Sequence, residues 1–366
     1  MALLVCNEIF DAKIRPLKIV LFHLKKIEVL KLDPTAESRK KDHIELAFQS
    51  QVLKDALDDR FYYEPIVSGH PKDLDLSIDI LESKLSIPIW VSSMTGGTAL
   101  AKTINTNLAK ACQEFGMGMG LGSCRSLLES NDRLSDFDMR AFMPDQPLYA
   151  NLGVAQIEEL LLSNREHLIT DLIAKLKADG LIVHVNPMQE WLQPEGDIYH
   201  MSPVEMVKRL IDKFPDLKII VKEVGQGMGP KSLEALYTLP IQAVDFAAGG
   251  GTNFAKLEIF RSDETIAKNY NGLARVGHAA HEMVDIANTV IKNLGDKCLC
   301  KETIISGGVS NFLDGYYLMN KFQSKSIYGQ ASGFLKNSMD DYETLRLHVI
   351  AQIKGLQMAK AFLTVK

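Results

Sequence analysis

The sequence predicts an α/β protein built as a (β/α)8 TIM barrel with an N-terminal helical extension. From residue 86 onward, short apolar β-prone runs alternate with longer stretches of helical periodicity, which is typical of repeated βα units over a parallel sheet. Eight such runs occur, and eight parallel strands are the number that closes this barrel. The predicted strands span residues 87–94, 117–122, 148–152, 181–186, 218–224, 243–248, 303–308 and 326–331.

Helical stretches separate most of these strands, for example at residues 99–115, 157–178, 203–214 and 279–294. The main competing architecture is a doubly wound open sheet, which would normally carry G-x-G-x-x-G after its first strand. The first predicted strand ends in Met94-Thr95-Gly96-Gly97 instead. Gly118-Met119-Gly120 and Gly225-Gln226-Gly227 both lack the third glycine. The pattern therefore favours the barrel.

The chain before the first strand differs from the repeat. Residues 33–63 are polar with helical character, which predicts a cap added to the barrel. We expect residues 1–31 to be an extension of unassigned role and residues 32–366 to form a single domain. Charged residues interrupt the apolar runs of 1–31, so neither a signal peptide nor a membrane span is predicted there.

Composition argues against several classes of protein. The 366 residues are 46% hydrophobic and 24% charged, as in ordinary soluble globular proteins. Lys and Arg number 41 against 46 Asp and Glu, and the resulting formal charge of −5 argues against a nucleic-acid partner. The five cysteines include no C-x-x-C, so a disulfide framework or zinc ribbon is not suggested and a cytoplasmic location is expected.

Glycine and polar residues gather where nearly every predicted strand ends, which is where barrel enzymes carry their chemistry. A turn would explain any one of these clusters, but not easily all eight. The loops after strands 7 and 8, with Gly307-Gly308 and Ala331-Ser332-Gly333, are where barrels commonly bind a phosphate. Together with Lys222 after strand 5, they suit a flat phosphorylated cofactor such as FMN. Lys222 could instead form a Schiff base or a structural ion pair.

The fourth predicted strand carries the sharpest constellation. His184 and Asn186 lie two apart on an extended segment and so point to the same face, and Gln189 and Glu190 follow in the loop. A carboxylate beside neutral hydrogen-bonding side chains suits one Mg²⁺ that keeps several waters and binds substrate phosphates. A lone histidine on an apolar strand is more often a core residue, but these neighbours favour a site.

Several motifs occur in a specific order. They are Arg39-Lys40-Lys41-Asp42-His43, Met94-Thr95-Gly96-Gly97, the H-x-N-x-x-Q-E of 184–190, Pro194-Glu195-Gly196-Asp197, Lys222-Glu223-Val224-Gly225 and Gly250-Gly251-Thr252. From about Thr35 onward the chain thereby resembles the type 2, FMN-dependent isopentenyl diphosphate isomerase family. The resemblance implies interconversion of isopentenyl and dimethylallyl diphosphate by reduced FMN with Mg²⁺, and NADPH to prime the flavin. It also implies a homo-oligomer, either a tetramer or an octamer.

The resemblance assigns roles by position. FMN would be held by Met94, Thr95, Ser123, Asn151, Lys222, Thr252, Gly308, Ser310, Ala331 and Ser332. The substrate would be bound by Arg39, Lys40, His43, His184, Asn186 and Gln189. Gln189, Lys222 and His184 would be catalytic, and Glu190 would bind Mg²⁺. Without the resemblance, Arg39 and Lys40 would be interpreted as a solvated helix face.

Three positions depart from the family pattern. Cys124 stands in place of glutamine, Phe254 in place of tryptophan, and Ser310 in place of the arginine of the phosphate loop. A hydroxyl and backbone amides would then hold the FMN phosphate without a guanidinium.

Two alternative functions stay open. An FMN oxidoreductase of the hydroxy-acid oxidase type would want a histidine base and arginines near strand 7, and 306–309 offers neither. A catalytically silent flavin-binding barrel is disfavoured by the intact set on strand 4.

Overall fold

The computed structural model describes residues 35–72, 74–93, 95–96 and 98–366, which divide into two compact units between Asp59 and Arg60. The first unit contains helix α1, Ala36–Leu46, and a short 3-10 helix, Lys54–Ala56. The second unit begins with strand β1, Phe61–Tyr63. The segment 33–63 is therefore only partly helical, because its last residues pair with another strand. The predicted extension, 1–31, lies outside the described residues.

Eight parallel strands close into a barrel in the second unit, as the sequence predicts. Each strand pairs with the next in chain order, and the last pairs with the first. A hairpin precedes the barrel, and a final short strand pairs with β1. The strands are β2 Ile78–Ile80 and β3 Ser83–Leu85 (hairpin), β4 Ile89–Val91, β5 Gly118–Gly120, β6 Leu148–Gly153, β7 Gly180–His184, β8 Ile219–Lys222, β9 Ala243–Asp245, β10 Glu302–Ser306 and β11 Lys325–Gln330 (barrel), and β12 Leu363–Val365.

Most barrel strands end earlier than the sequence predicts. The predicted sixth strand, 243–248, stops at Asp245, although Phe246, Ala247 and Ala248 are buried as well. Ala247 has a φ of +42°, so the chain leaves the extended conformation there. A buried apolar loop residue cannot be distinguished from a strand residue by its hydrophobicity, and the predicted strand was therefore too long.

Helices surround the barrel and pack their apolar faces against the strands. None in the described residues is both long and apolar enough to cross a membrane. The helices after α1 are α2 Ala99–Phe115, α3 Val154–Leu162, α4 His167–Leu176, α5 Pro187–Leu192, α6 Pro203–Lys213, α7 Pro230–Tyr237, α8 Phe254–Arg261, α9 Glu264–Tyr270, α10 Ala280–Leu294, α11 Phe312–Lys321, α12 Ser332–Ser338 and α13 Tyr342–Phe362.

The helix ends follow local chemistry. The predicted helix 99–115 is confirmed as α2, whose N-cap Thr98 accepts a hydrogen bond from the Ala101 amide and whose C-cap Gly116 has a φ of +68°. The predicted single helix 157–178 is wrong, because α3 and α4 are separate helices. Asn164, with a φ of +57°, lies in the break, and asparagine is among the residues that adopt this conformation most readily.

The hairpin of β2 and β3 closes the amino-terminal end of the barrel. Its turn residues Leu81 and Glu82 have φ values of 56° and 53°, as a two-residue type I′ turn requires. The Leu81 amide donates to Glu302 Oε2 at 2.8 Å, and its side chain packs inside the barrel against Trp90 and Tyr149. Apolar side chains therefore fill this end, and the polar residues lie at the opposite end.

Candidate active site

The carboxyl ends of the barrel strands surround two cavities. The larger has a volume of about 240 Å³ and is lined by residues that lie on or follow β4 to β9. The narrower has a volume of about 70 Å³ and lies among the loops after β8 to β11 and β4. Ser93, Lys222, Val224 and Phe254 line both, so the two cavities share a wall.

His184 lines the larger cavity as a neutral ring with a fixed tautomer. Its Nδ1 lies 2.7 Å from Asn151 Oδ1, while Asn151 Nδ2 donates to the Leu121 carbonyl at 2.9 Å. An amide oxygen only accepts, so Nδ1 carries the proton and Nε2 presents a lone pair. Burial, and secondly the charge of Lys222, lower the pKa of His184 to about 3. The ring can therefore accept a hydrogen bond but does not supply a proton near neutral pH.

Asn186 is the centre of a hydrogen-bond network on the same side of the barrel. Its Nδ2 donates to Gln189 Oε1 at 3.1 Å and to Glu190 Oε1 at 2.8 Å. The Tyr199 hydroxyl donates to Asn186 Oδ1 at 2.8 Å and accepts from the Asn186 amide at 3.1 Å. Tyr199, which sequence reasoning missed, thus orients the carboxamide that joins the two predicted functional side chains.

Glu190 is held on both oxygens yet keeps the capacity for a further ligand. Its Oε2 accepts from the Asp197 amide at 2.8 Å, and Gly196 packs so closely that a Cβ there would lie 1.8 Å from the Glu190 carbonyl. No group of three His, Cys, Asp or Glu that could hold a metal occurs among the described residues. A single carboxylate fits Mg²⁺, whose other ligands can be waters and substrate phosphate oxygens.

Gln189 reaches a second carboxylate, which lies on helix α8. Its Nε2 lies 3.4 Å from Glu258 Oε1, and Glu258 Oε2 pairs with Arg261 at 2.7 Å. Glu258 is buried on α8 beside Ala255 and Ile259. Sequence reasoning missed this residue, although an acidic residue on the apolar face of a helix was a signal that could have found it.

Lys222 occupies the wall between the two cavities. Its side chain is buried, and Nζ donates to the Glu223 carbonyl at 2.7 Å. The Glu223 carboxylate turns away, because its Oε2 accepts from the amides of Gly225 and Gln226, both at 2.6 Å, and of Gly227 at 3.0 Å. The K-E-V-G segment therefore fixes a tight loop that leaves the ammonium group facing the cavities.

Asp245 lies beside Lys222 and was also missed. Strand register places His184, Lys222 and Asp245 side by side on β7, β8 and β9. Asp245 is completely buried, and its Oδ1 accepts a short hydrogen bond from the Ser306 hydroxyl. Burial raises its pKa, while Lys222 and the bond from Ser306 act in the opposite direction. Asp245 was missed because it lies inside the predicted strand 243–248, whereas functional residues were sought at the strand ends and in the loops that follow them.

No family model matches the chain, whereas curated relatives do. An isopentenyl-diphosphate delta-isomerase of Rickettsia akari is 32% identical over 304 residues, covering 82% of this chain and 85% of the relative. One of Rickettsia felis is 31% identical and covers 90% of this chain and 94% of the relative. The chain belongs to the isopentenyl-diphosphate delta-isomerase family. The family predicted from the motifs is confirmed at this level.

The fold of this family member also resembles solved structures. Flavocytochrome b2 with pyruvate bound matches with a TM-score of 0.58 at 14% identity, covering 82% of this chain and 72% of that one. A mandelate oxidase with a monooxide FMN adduct matches with a TM-score of 0.52 at 10% identity, covering 84% and 88%. At these identities the likeness concerns the fold, and it agrees with the predicted (β/α)8 barrel.

The narrower cavity of this isomerase-family chain is lined with glycines and unpaired hydroxyls. A Cβ on Gly251 would lie 3.2 Å from the Gly308 amide, and Gly307 and Gly308 have φ values of 86° and 70°. The hydroxyls of Ser92 and Ser93 are buried without a hydrogen-bond partner in the described part of the chain. Donors of this kind, with close backbone approach, fit a flat polar cofactor.

The structure places the predicted flavin residues unevenly. Thr252, Gly308, Ala331 and Ser332 line the narrower cavity, Ser123 and Asn151 line the larger one, and Lys222 lines both. Thr95 lies against Gly122 and is outside both linings, and Met94 lies outside the described residues. Two departures from the family pattern are also outside both linings.

These two departures are Ser310 and Cys124. Ser310 is exposed, and its amide donates to Asp314 Oδ2 at 2.9 Å, while Asp314 Oδ1 pairs with Arg60 at 2.9 Å. Cys124 is buried with its Sγ 3.3 Å from the Gly122 carbonyl, and burial raises its pKa to about 12. Among the described lining residues of the narrower cavity, Lys222 is therefore the only charged one.

The predicted diphosphate ligands Arg39, Lys40 and His43 lie on α1 of the first unit, where all three are exposed. Their role in substrate binding stays a prediction. The four described cysteines, Cys112, Cys124, Cys298 and Cys300, are free and buried, and Cys6 lies outside the described residues.

Proposed function

We propose that this chain is a type 2, FMN-dependent isomerase that interconverts isopentenyl and dimethylallyl diphosphate. The observation that carries the proposal is the gathering of His184, Asn186, Gln189 and Glu190 on one cavity whose wall, Lys222, is shared with a glycine-lined cavity. One cavity suits a diphosphate substrate, and the other suits a phosphorylated cofactor. Family membership supports the assignment.

The narrower cavity is the proposed site of FMN. Backbone amides near Gly308 and Ser332 would meet the phosphate, and Lys222 would meet the polar edge of the ring system. When bound and reduced with NADPH, FMN supplies the group that gives and takes the proton. Lys222, which is buried, would stabilise negative charge there more strongly than it could in water.

The substrate would occupy the larger cavity. Glu190 would bind Mg²⁺ together with the diphosphate oxygens. The neutral His184 presents the Nε2 lone pair, and Gln189, fixed between Asn186 and Glu258, would position the transferred proton. We further propose that the protein acts in the cytoplasm as a homo-oligomer.

A hydroxy-acid oxidase is the second candidate, because flavocytochrome b2 and mandelate oxidase share the fold. Oxidation consumes an electron acceptor for every turnover, whereas moving a double bond leaves the redox state of the substrate unchanged. The ratio of product to reductant therefore separates the two functions.

The test is an anaerobic assay of purified protein with isopentenyl diphosphate, FMN, Mg²⁺ and NADPH. We expect dimethylallyl diphosphate in large excess over NADPH consumed, and no product when FMN is omitted. If no dimethylallyl diphosphate forms and the flavin-loaded protein oxidises a 2-hydroxy acid, the proposal is wrong and the oxidase function is correct.

A further inference from the structure

Asp245 is a buried acidic residue to which the proposed mechanism assigns no role. It is completely inaccessible to solvent, and its Oδ2 has no hydrogen-bond partner in the described part of the chain. Oδ1 accepts from Ser306, which lines the narrower cavity. An isolated buried carboxylate is costly, so such a group either takes up a proton or stays ionised beside a compensating charge.

The compensating charge is Lys222, the register partner of Asp245 on the neighbouring strand. The other groups around Lys222 cannot take this part. His184, on the other flank, is neutral, because its pKa is lowered to about 3. The Glu223 carboxylate is directed to three amides of its own loop. Asp245 is therefore the acidic side chain that faces Lys222 from the adjacent strand.

We propose that Asp245 is a positioning residue that acts through Lys222, as the counter-ion that limits how much positive charge Lys222 offers to a bound flavin. This inference rests on the proposed function. A negative charge on Asp245, on the strand next to Lys222, would partly neutralise the ammonium group, so the reduced flavin would be stabilised less than an unpaired buried lysine would stabilise it.

The primary test is the midpoint potential of flavin bound to Asp245→Asn, measured by anaerobic reductive titration. The substitution keeps the shape and an oxygen for Ser306 but removes the negative charge. We expect the potential to rise relative to the parent, since the uncompensated Lys222 favours the reduced anion. Lys222→Met should lower it. An unchanged or lower potential in Asp245→Asn overturns the inference.

A double variant separates action through Lys222 from a structural role. Burial raises the pKa of Asp245 and Lys222 opposes that rise, so without Lys222 the ionised form is disfavoured and Asp245→Asn should remove little charge. Adding Asp245→Asn to Lys222→Met should therefore leave the potential of Lys222→Met unchanged. Additive shifts would contradict action through Lys222. Asp285→Asn, at an exposed site on α10, is the matched control and should not move the potential.

Two further measurements keep the test decisive. If Asp245→Asn does not fold, Ser306→Ala keeps both ionisable side chains but removes a bond that favours the ionised form of Asp245, so it should raise the potential by a smaller amount. No shift in that variant contradicts the inference. Fluorescence titration of the parent with FMN tests the proposed function separately, because a parent that binds no flavin refutes that function, whereas a flavin-loaded Asp245→Asn with the parental potential refutes only the role of Asp245.

Discussion

Replacing Tyr199 by Phe removes one hydroxyl from the centre of the substrate side of the site. That hydroxyl donates to Asn186 Oδ1 at 2.8 Å and accepts from the Asn186 amide at 3.1 Å. Burial raises the pKa of the phenol well above its usual range, so it remains a donor at any working pH. The variant therefore leaves the carboxamide of Asn186 without the group that orients it.

The magnitude follows from the groups left unpaired. Asn186 is 3% exposed, and an unsatisfied buried polar group costs about 1–3 kcal/mol. We expect Tyr199→Phe to lower the free energy of unfolding by about 1–3 kcal/mol, measured by urea denaturation. Gln189 and Glu190 both depend on Asn186 Nδ2, and a misplacement of about 1 Å can cost about 10²-fold in rate, so turnover should fall by about that factor.

Flavin binding distinguishes a local effect from general unfolding. Tyr199 lines neither cavity in the described structure, so the dissociation constant for FMN should stay at the parental value while turnover falls. Tyr270→Phe, on the exposed surface of α9, is the matched control for loss of a phenolic hydroxyl. Parental stability and turnover in Tyr199→Phe would refute the reasoning, because they would show that Asn186 needs no orienting partner.

Further perturbations test the site. Gln189→Ala removes the hydrogen bonds to Asn186 and buried Glu258, so it should lower the free energy of unfolding by about 1–3 kcal/mol, while turnover and deuterium incorporation from heavy water fall roughly 10²–10⁴-fold. Lys222→Met should reduce turnover by about 10²–10³-fold. EDTA should abolish turnover and Mg²⁺ restore it, and Glu190→Gln should raise the Mg²⁺ concentration required without changing FMN content. Because the pKa of His184 is lowered from 6.5 to about 3, the free energy of unfolding should fall as the pH drops from about 6.5 towards 3, since the unfolded chain binds a proton that the folded ring excludes.

Exposed positions supply controls for these variants, namely Gln323→Ala, Lys231→Met and Glu234→Gln. If Gln189→Ala incorporates deuterium at the parental rate, Gln189 does not position the transferred proton and contributes only to binding the substrate. Normal turnover in Lys222→Met would show that Lys222 has only a structural role. Full activity in excess chelator would show that the reaction does not need Mg²⁺. If a His184→Gln variant loses as much free energy of unfolding as the parent when the pH falls, the His184 ring is not the cause of that loss.

The sequence was sufficient to predict the barrel and most of the residues at its carboxyl end. Eight strands could be identified because each is apolar and short, and the set 184–190 could be placed at the carboxyl end of one strand because that strand is regular. Gln189 and Glu190, which were expected in a loop, lie on helix α5. The exact ends of the strands were harder to predict, and so were site residues that lie far along the chain from their partners. Tyr199 lies 13 positions beyond its partner Asn186, and only the folded loop brings them together.

Charged residues inside apolar segments were the other gap. Asp245 and Glu258 lie within runs that hydrophobicity assigns to a strand and to the buried face of a helix. Their meaning depends on the neighbouring element, since Asp245 acquires a partner only from the register between β8 and β9. Ser310 shows the opposite case: a loop position adjacent to glycines was expected to face the cofactor, whereas its amide donates to Asp314 and the residue lies outside both cavity linings, so its role in flavin binding stays a prediction.

The titratable side chains of the larger cavity explain why the proposed chemistry requires a cofactor. A double-bond shift needs one proton delivered and another removed. Among the described lining residues, His184 is neutral, Glu190 accepts hydrogen bonds on both oxygens, and the remaining titratable groups are Arg125 and Lys222. Arg125 is committed to Asp197 at 2.9 Å, and a guanidinium does not release its proton in proteins. Lys222 lies between the cavities beside Asp245, in a position to stabilise charge. Under the proposed function these side chains position and polarise the substrate, and the group that exchanges the proton would be a cofactor bound in the neighbouring glycine-lined cavity.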